Sequence, residues 1–457
     1  MDYLMETIQM IEWKSILLVL AILALDIFIL KVIEKGSNLH PELKRKLFHV
    51  SMGIVMLTFP FIFTNFVSVA ILGVLGLMAM IALKNTKLKD TAGTILYSVD
   101  RESFGEIFFI FSVFIIFYWA HGDKILYSIP ILILTFADSA AALIGKRYAK
   151  TNLAQYNEDT KSLEGSFTFF VVAFMATHVP LLLFTSTGRE ECLLIATIVG
   201  FNVALIEMIS HGGNDNLLIP LTAFAFVSTH ISYSVDKLRM NLLLIAIIYV
   251  LVLIADKVKA FSKLAIVEAI VIGYLTITLY GIYALIIPFI MIMTIMRFPK
   301  RRECEKDNTY DMRIVETNVL VPITICAVAC IIHLKEQLFM TYVTTYAMAM
   351  IVNSYVRFKY YIKMSEMQSF IWALAKGVAF IFIPGLIINW YQFGNNVAYY
   401  KLIAMGMSMI LSDALIYHKK KNVENEEILI SNGYMHMKIV MLFTIILSGI
   451  ELAEYFL

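Results

Sequence analysis

Apolar runs of about 16 to 22 residues recur along the whole chain. Each is close to the roughly 20 residues that a helix needs to cross the hydrocarbon core of a bilayer. About 16 such runs can be counted, with the divisions between 264 and 296 open. The expected architecture is all-α, a polytopic membrane helix bundle of about 16 transmembrane helices. Composition agrees: 60% of residues are hydrophobic and only 16% charged, too little polar surface to cover so apolar a mass in water.

The first run, SILLVLAILALDIFILKV, follows an acidic segment and is not followed by a small-residue cleavage site, so it reads as a retained span. Alternating the spans puts most of the 37 Lys and Arg on one face. The positive-inside rule makes that face cytoplasmic and both termini external. A net charge of +2 on a chain this long argues against a nucleic-acid partner. Cys192, Cys304, Cys326 and Cys330 form no metal-ligand or disulfide pattern.

The polar residues that are more than loop filler collect on the cytoplasmic side of the first half. They lie in HPELKRKLFHVSMG (40–53), VDRESFGE (99–106), ADSAAALIGKR (137–147), KSLEGS (161–166) and ALIEMISHGGNDNLLIP (204–220). The outer loops of that half are short and bland, which places the chemistry at one membrane surface. Asp138 interrupts an apolar run, and a carboxylate at such depth normally faces a protein interior, a watery cavity or a cation. Lys146 and Arg147 on the following turns, or a bound cation, are its expected compensation.

Glu106, Asp138, Glu207 and Asp215 are carboxylates at the mouths of four regions, and Arg45, Lys46, Arg101, Lys146, Arg147 and Lys161 are cations on the same side. Carboxylates that leave room for water and phosphates suit Mg²⁺, and Arg and Lys suit phosphate oxygens. The mixture points to a metal-nucleotide site, with Asp138, Glu106 and Glu207 as candidate Mg²⁺ ligands. Gly105, Gly145, Gly165, Gly212 and Gly213 allow close backbone approach, and Ser139 or Ser166 can add a hydroxyl. No GxxxxGK[ST] occurs, so a nucleotide is held by another device than a P-loop. Lys146 and Arg147 also read as topology anchors, and His49 as an interfacial histidine.

Together these five stretches resemble, in order and spacing, the membrane family of dolichol kinase, phytol kinase and related CTP-dependent lipid kinases. The resemblance covers about residues 40–220. It implies phosphoryl transfer from CTP to a lipid alcohol. It places family motif positions at Arg45, Lys46 and His49; at Arg101, Gly105 and Glu106; at Asp138; at Lys161, Ser162, Glu164, Gly165 and Ser166; and at Glu207, Asp215, Asn216 and Leu217. Ser139 stands where many relatives have Gly. The long signature of phosphatidate cytidylyltransferases is not visible, which favours phosphoryl transfer over the alternative of CDP-lipid synthesis. A transporter, the other alternative, would show inverted repeats and midplane polar residues.

The expected division is a kinase-like module at 1–235 and a second transmembrane module at 236–457. The latter faintly resembles the membrane family that includes plant phytyl-phosphate kinase. Asn353 stands at that family's first acidic position and Asp413 alone survives of its later run. An amide is a poor Mg²⁺ ligand, so the second module reads as degenerate.

Overall fold

The computed structural model describes residues 11–36, 41–85, 105–150, 152–156, 159–210, 213–256, 263–297, 335–356, 358–359 and 362–392, and scattered positions between 401 and 450. The chain divides into two compact units, Met1–Leu242 and Leu243–Leu457. Arg101 and Asp413 lie outside the described residues.

Unit 1 is a bundle of antiparallel helices: α1 (Trp13–Gly36), α2 (Pro41–Leu57), α3 (Phe66–Asn85), α4 (Gly105–Trp119), α5 (Lys124–Leu132), α6 (Asp138–Tyr148), α7 (Leu163–Phe184), α8 (Arg189–Ile209), α9 (Asp215–His230) and α10 (Val235–Asp256), the last running on past the unit boundary. A five-residue π-helical turn, Ile133–Ala137, joins α5 to α6 without a break, so Lys124–Tyr148 is one continuous apolar helix. Pro130, just before that turn, lacks the N–H for a helical rung, and such a gap is commonly absorbed by widening a neighbouring turn.

Helix starts follow local chemistry. Asp123 caps α5 by accepting from the Ile125 and Leu126 amides at 2.8 and 3.0 Å, and Ser162 caps α7 by accepting from Gly165 N at 3.1 Å. The core between α1, α2, α3, α4 and α5 includes Val19, Phe48, Met52, Leu72, Ile116 and Ile131. Tyr127 sits among them and donates its hydroxyl to the Met56 carbonyl at 2.9 Å, so its polar end is satisfied. At the far end of the unit the turns after α4, α7 and α9 come together, and residues including Asp123, Thr185, Gly188 and Tyr233 line one cavity of about 700 Å³.

The all-α expectation has one exception. Between α6 and α7 the chain forms an antiparallel hairpin, β1 (Asn152–Tyr156) with β2 (Asp159–Ser162), pairing Ala154 with Lys161 and Tyr156 with Asp159. Its residues are too polar to extend either apolar helix, and strand pairing satisfies their backbone.

Unit 2 contains α11 (Lys263–Tyr280), α12 (Ile286–Arg297), α13 (Lys335–Val356), α14 (Glu366–Gly377) and α15 (Ile383–Gln392), with a second π turn, Val378–Phe382, between the last two. Gly377 and Gly385 let this long helix close on Ile351 and Val343 of α13. Among the described residues of the chain, six helices are long and apolar enough to span a membrane: Trp13–Ile33, Leu43–Ile62, Lys124–Tyr148, Leu163–Phe184, Arg189–Ile209 and Glu366–Gln392. Four shorter apolar helices accompany them, Phe66–Ile81, Gly105–Trp119, Ala269–Thr278 and Ile282–Met291.

Candidate active site

The motif residues of the first half meet at one end of unit 1. Lys46, in the second turn of α2, reaches across to α6, where its ammonium lies 2.6 Å from Asp138 Oδ2 and 3.4 Å from the Asp138 carbonyl. Both side chains are nearly inaccessible, Lys46 at 3% and Asp138 at 8% exposure. His49, one turn further along α2, places Nε2 3.5 Å from the same carboxylate oxygen and 3.1 Å from the Leu134 carbonyl. Leu134 belongs to the π turn, so the widened turn presents a carbonyl to α2. Thr135 of the same turn packs directly against Gly53, where any side chain would collide with it.

The compensation of Asp138 therefore comes from another helix. Lys146 and Arg147, the sequence neighbours expected to supply it, are exposed in the last turn of α6, and the Arg147 guanidinium stacks on Tyr148. Arg45 also acts electrostatically on Asp138.

A second charge pair joins β2 to α8. Lys161, at the end of β2, makes a short contact with Glu207 Oε1 in the last turn of α8, and the Ser166 hydroxyl is 3.4 Å from Glu207 Oε2. Burial alone would lower the Lys161 pKa. Glu207, then Asp215, and with a smaller effect Asp138, outweigh burial and raise it above the ordinary lysine range. The field of Asp138 is felt at Lys161, so the two ion pairs occupy one electrostatic neighbourhood.

Small residues make this closeness possible. A Cβ on Gly165 would lie 3.2 Å from the Ala141 carbonyl and 3.4 Å from Gly145 Cα, and one on Gly145 would lie 3.1 Å from Ser162 Oγ. The start of α7 thus rests against α6 backbone to backbone. Glu164 accepts from the Lys150 amide at 3.1 Å, tying the chain just after α6 to the start of α7. Asn216, at the start of α9, donates its side-chain amide to the Gly105 carbonyl at 2.9 Å, which brings the segment carrying Glu106 to the segment carrying Asp215. The Ser139 hydroxyl is buried with no hydrogen-bond partner among the described residues.

No group of three or more His, Cys, Asp or Glu side chains with metal-binding geometry occurs among the described residues. The donor set instead offers Asp138 and Glu207, each held by a lysine, with hydroxyls beside them. That fits Mg²⁺ arriving on a nucleotide, since this ion keeps its waters and usually takes one or two carboxylates plus substrate phosphates rather than an all-protein cage.

Asp26, inside the first apolar run, carries the same signal as Asp138, a carboxylate within an apolar stretch. It accepts a 2.7 Å hydrogen bond from Ser51 of α2, an interhelical contact that satisfies a carboxylate within a spanning helix.

Comparison with known proteins gives 28% identity over 212 residues with a curated protein of Synechocystis sp., covering 46% of this chain and 88% of that protein. The likeness is to a phytol kinase. The resemblance carried by the five motifs is thus also present in whole-sequence comparison, and it is partial. The part of this chain similar to the phytol kinase is about the size of one of its two units, 242 and 215 residues long. No family model and no solved structure matches the chain.

Proposed function

We propose that this protein is a membrane lipid kinase that transfers the γ-phosphate of a nucleotide to the hydroxyl of a prenyl-type lipid alcohol. The observation that carries this reading is the convergence of Lys46, Asp138, Lys161 and Glu207 from four separate helices or strands at one end of an apolar bundle. Similarity to a phytol kinase supports the choice of acceptor.

Phosphoryl transfer asks a protein mainly for positioning and neutralisation of charge. In the proposed reaction Lys46, Lys161 and Arg45 hold the phosphates, while Asp138, Glu106 and Asp215, of the same sign as the phosphates, would hold the Mg²⁺ that accompanies them. The alcohol oxygen bonds to the γ-phosphorus as the bond to the β-phosphate oxygen breaks. The hydroxyl proton passes to Glu207, whose second oxygen faces Ser166, and the nucleoside diphosphate leaves. Mg²⁺ bound to the nucleotide would supply neutralisation of the β- and γ-phosphates. His49, Ser162, Glu164, Gly165 and Asn216 shape the walls, Lys146 adds positive charge at the mouth, and the motif resemblance adds Arg101 as a phosphate contact.

The motif resemblance supports CTP as the donor. The charge distribution supports a cytoplasmic site with both termini external, in a chain of about 16 spans. Residues 1–235 form the catalytic module. Residues 236–457 form a second module without its own transfer chemistry, because Asn353 takes the place of a carboxylate.

The test is incubation of purified protein with radiolabelled CTP or ATP and a panel of phytol, farnesol, polyprenols and diacylglycerol, followed by lipid extraction. An isoprenoid monophosphate carrying the label of the nucleotide's γ-phosphate supports the reading. A CDP-lipid carrying the label of CTP's α-phosphate in a parallel reaction, or γ-label in no lipid, overturns it.

A further inference from the structure

We propose that the Lys46–Asp138 and Lys161–Glu207 pairs are exchangeable latches, so that the site binds a nucleoside triphosphate and Mg²⁺ jointly and each only weakly alone. This rests on the kinase reading above and adds to it the form in which the donor is accepted.

The two lysines assigned to the phosphates already hold a carboxylate each. Lys46 Nζ lies 2.6 Å from Asp138 Oδ2, and Lys161 makes its short contact with Glu207 Oε1. These four side chains are between 4 and 18% exposed, whereas in the Arg239–Glu190 pair at the far end of the unit the side chains are 59 and 47% exposed. The difference matters because a charge held out of water is costly once its counter-ion leaves, while an exposed one is rehydrated.

Neutral neighbours do not replace the lysines. His49 Nε2 is nearer to the Leu134 carbonyl, at 3.1 Å, than to Asp138 Oδ2, at 3.5 Å. Beside Glu207 the Ser166 hydroxyl, 3.4 Å from Oε2, carries no charge. A nucleotide without metal would therefore draw the lysines to its phosphates and leave Asp138 and Glu207 uncompensated. Mg²⁺ without nucleotide would displace the lysines from the carboxylates and leave two ammonium groups unpaired. It also finds no cage of its own, since no group of three or more metal-binding side chains occurs among the described residues.

Arriving together, the two ligands leave no charge unpaired. Both lysines pass from carboxylate to phosphate, and the divalent ion brings to the neighbourhood of Asp138 and Glu207 as much positive charge as the two ammonium groups take away. The pairs exchange as a unit because they share one field: Asp215 and Asp138 act on Lys161 as well as Glu207 does. The Asp138 carbonyl, 3.4 Å from Lys46 Nζ, keeps an acceptor beside that ammonium while its charged partner changes.

The experiment is calorimetric titration of the detergent-solubilised protein with β,γ-methylene CTP, whose γ-phosphate cannot transfer, in excess EDTA and in excess MgCl₂, and with MgCl₂ alone. For the wild type Mg²⁺ should tighten the nucleotide at least about a hundredfold, about 2.8 kcal/mol of coupling. MgCl₂ alone should give no binding at concentrations that saturate the nucleotide. Asp138→Asn and Glu207→Gln each release one lysine, so Mg²⁺-free binding should tighten, Mg²⁺-loaded binding should weaken, and the coupling factor should fall by about tenfold or more. Glu190→Gln, which breaks the exposed pair with Arg239, should keep the wild-type coupling. Equal coupling in the wild type and both site variants would overturn the latches. So would affinity lost by both variants in both buffers, which is the mark of a purely structural role. The titrations need no acceptor, so the two readings fail separately. Coupled binding without lipid phosphorylation refutes the kinase reading and leaves the latches standing, and lipid phosphorylation with uncoupled binding does the reverse.

Discussion

Lys46 Nζ and Asp138 Oδ2 lie 2.6 Å apart although 92 residues separate them in the chain. Removing one member of a buried pair leaves the other charged and unpaired, at a cost of roughly 3–5 kcal/mol, whereas replacing both by apolar groups is often neutral. Lys46→Met and Asp138→Leu should therefore each lower the thermal midpoint of the detergent-solubilised protein markedly. The double variant should recover most of the loss. Additive losses in the double-mutant cycle would show that the contact contributes nothing to the fold.

Function should separate from stability in Asp138→Asn. The amide keeps a hydrogen-bond acceptor for Lys46 but removes the negative charge from the proposed nucleotide site. Lipid phosphorylation should fall at least about a hundredfold, roughly 2.7 kcal/mol in transition-state terms. Binding of nucleotide in the absence of Mg²⁺, measured by calorimetry, should tighten, since one anion no longer opposes the phosphates. Unchanged Mg²⁺-free binding would place Asp138 away from the phosphates.

Much of this site was legible as composition and order but not as partnership. The sequence identifies Lys46, Asp138, Lys161 and Glu207 as chemistry-bearing residues on one side of the membrane, because carboxylates beside apolar runs are costly without a purpose. It cannot show which cation meets which carboxylate. Proximity in the chain favours Lys146 and Arg147 for Asp138, yet both point outward in the last turn of α6 and α2 supplies the partner. Regular helix geometry is the reason, since at 1.5 Å per residue Lys146 and Arg147 lie about 12 Å or more further along α6 than Asp138, too far to pair with it along the helix. The hairpin 152–162 was hidden for a different reason: a polar stretch between two strong helices carries no apolar alternation to mark its strands.

Alkaline pH should reveal the second pair. The Lys161 pKa is raised in the fold, opposed by burial and carried by Glu207 and Asp215. A group with a raised folded pKa contributes stability that is fully present below its unfolded value, about 10.4 for lysine, and is lost as pH rises through the folded value. The stability difference between wild type and Glu207→Gln should be constant from pH 7 to about 10 and shrink only above that. A difference that already disappears near neutral pH would contradict the pairing.

The contact between α6 and α7 is closed by Gly145 and Gly165, and it fixes the distance between the two ion pairs. On Gly165 a Cβ would meet the Ala141 carbonyl at 3.2 Å, a rigid neighbour that cannot turn aside. Gly165→Leu should push the start of α7 off α6 and reduce turnover by at least about tenfold, near 1.4 kcal/mol. Expression and monodispersity in detergent should survive. Near wild-type turnover in Gly165→Leu would mean that the spacing of the pairs does not matter to the reaction.

The two ends of unit 1 can be assigned to membrane faces by labelling. Lys150 follows α6 at the end that carries Lys46, Lys161 and Glu207, whereas Gly188 lines the cavity formed by the turns after α4, α7 and α9. The basic residues concentrate at the first of these ends, and Lys and Arg near the ends of spans favour the cytoplasmic side. In a variant lacking the four native cysteines, Gly188→Cys should react in intact cells with a maleimide that cannot cross the membrane. Lys150→Cys should react only after permeabilisation. The reverse pattern would put the ion pairs on the outer surface, beyond the reach of cytosolic nucleotide, and the kinase reading would fail with it.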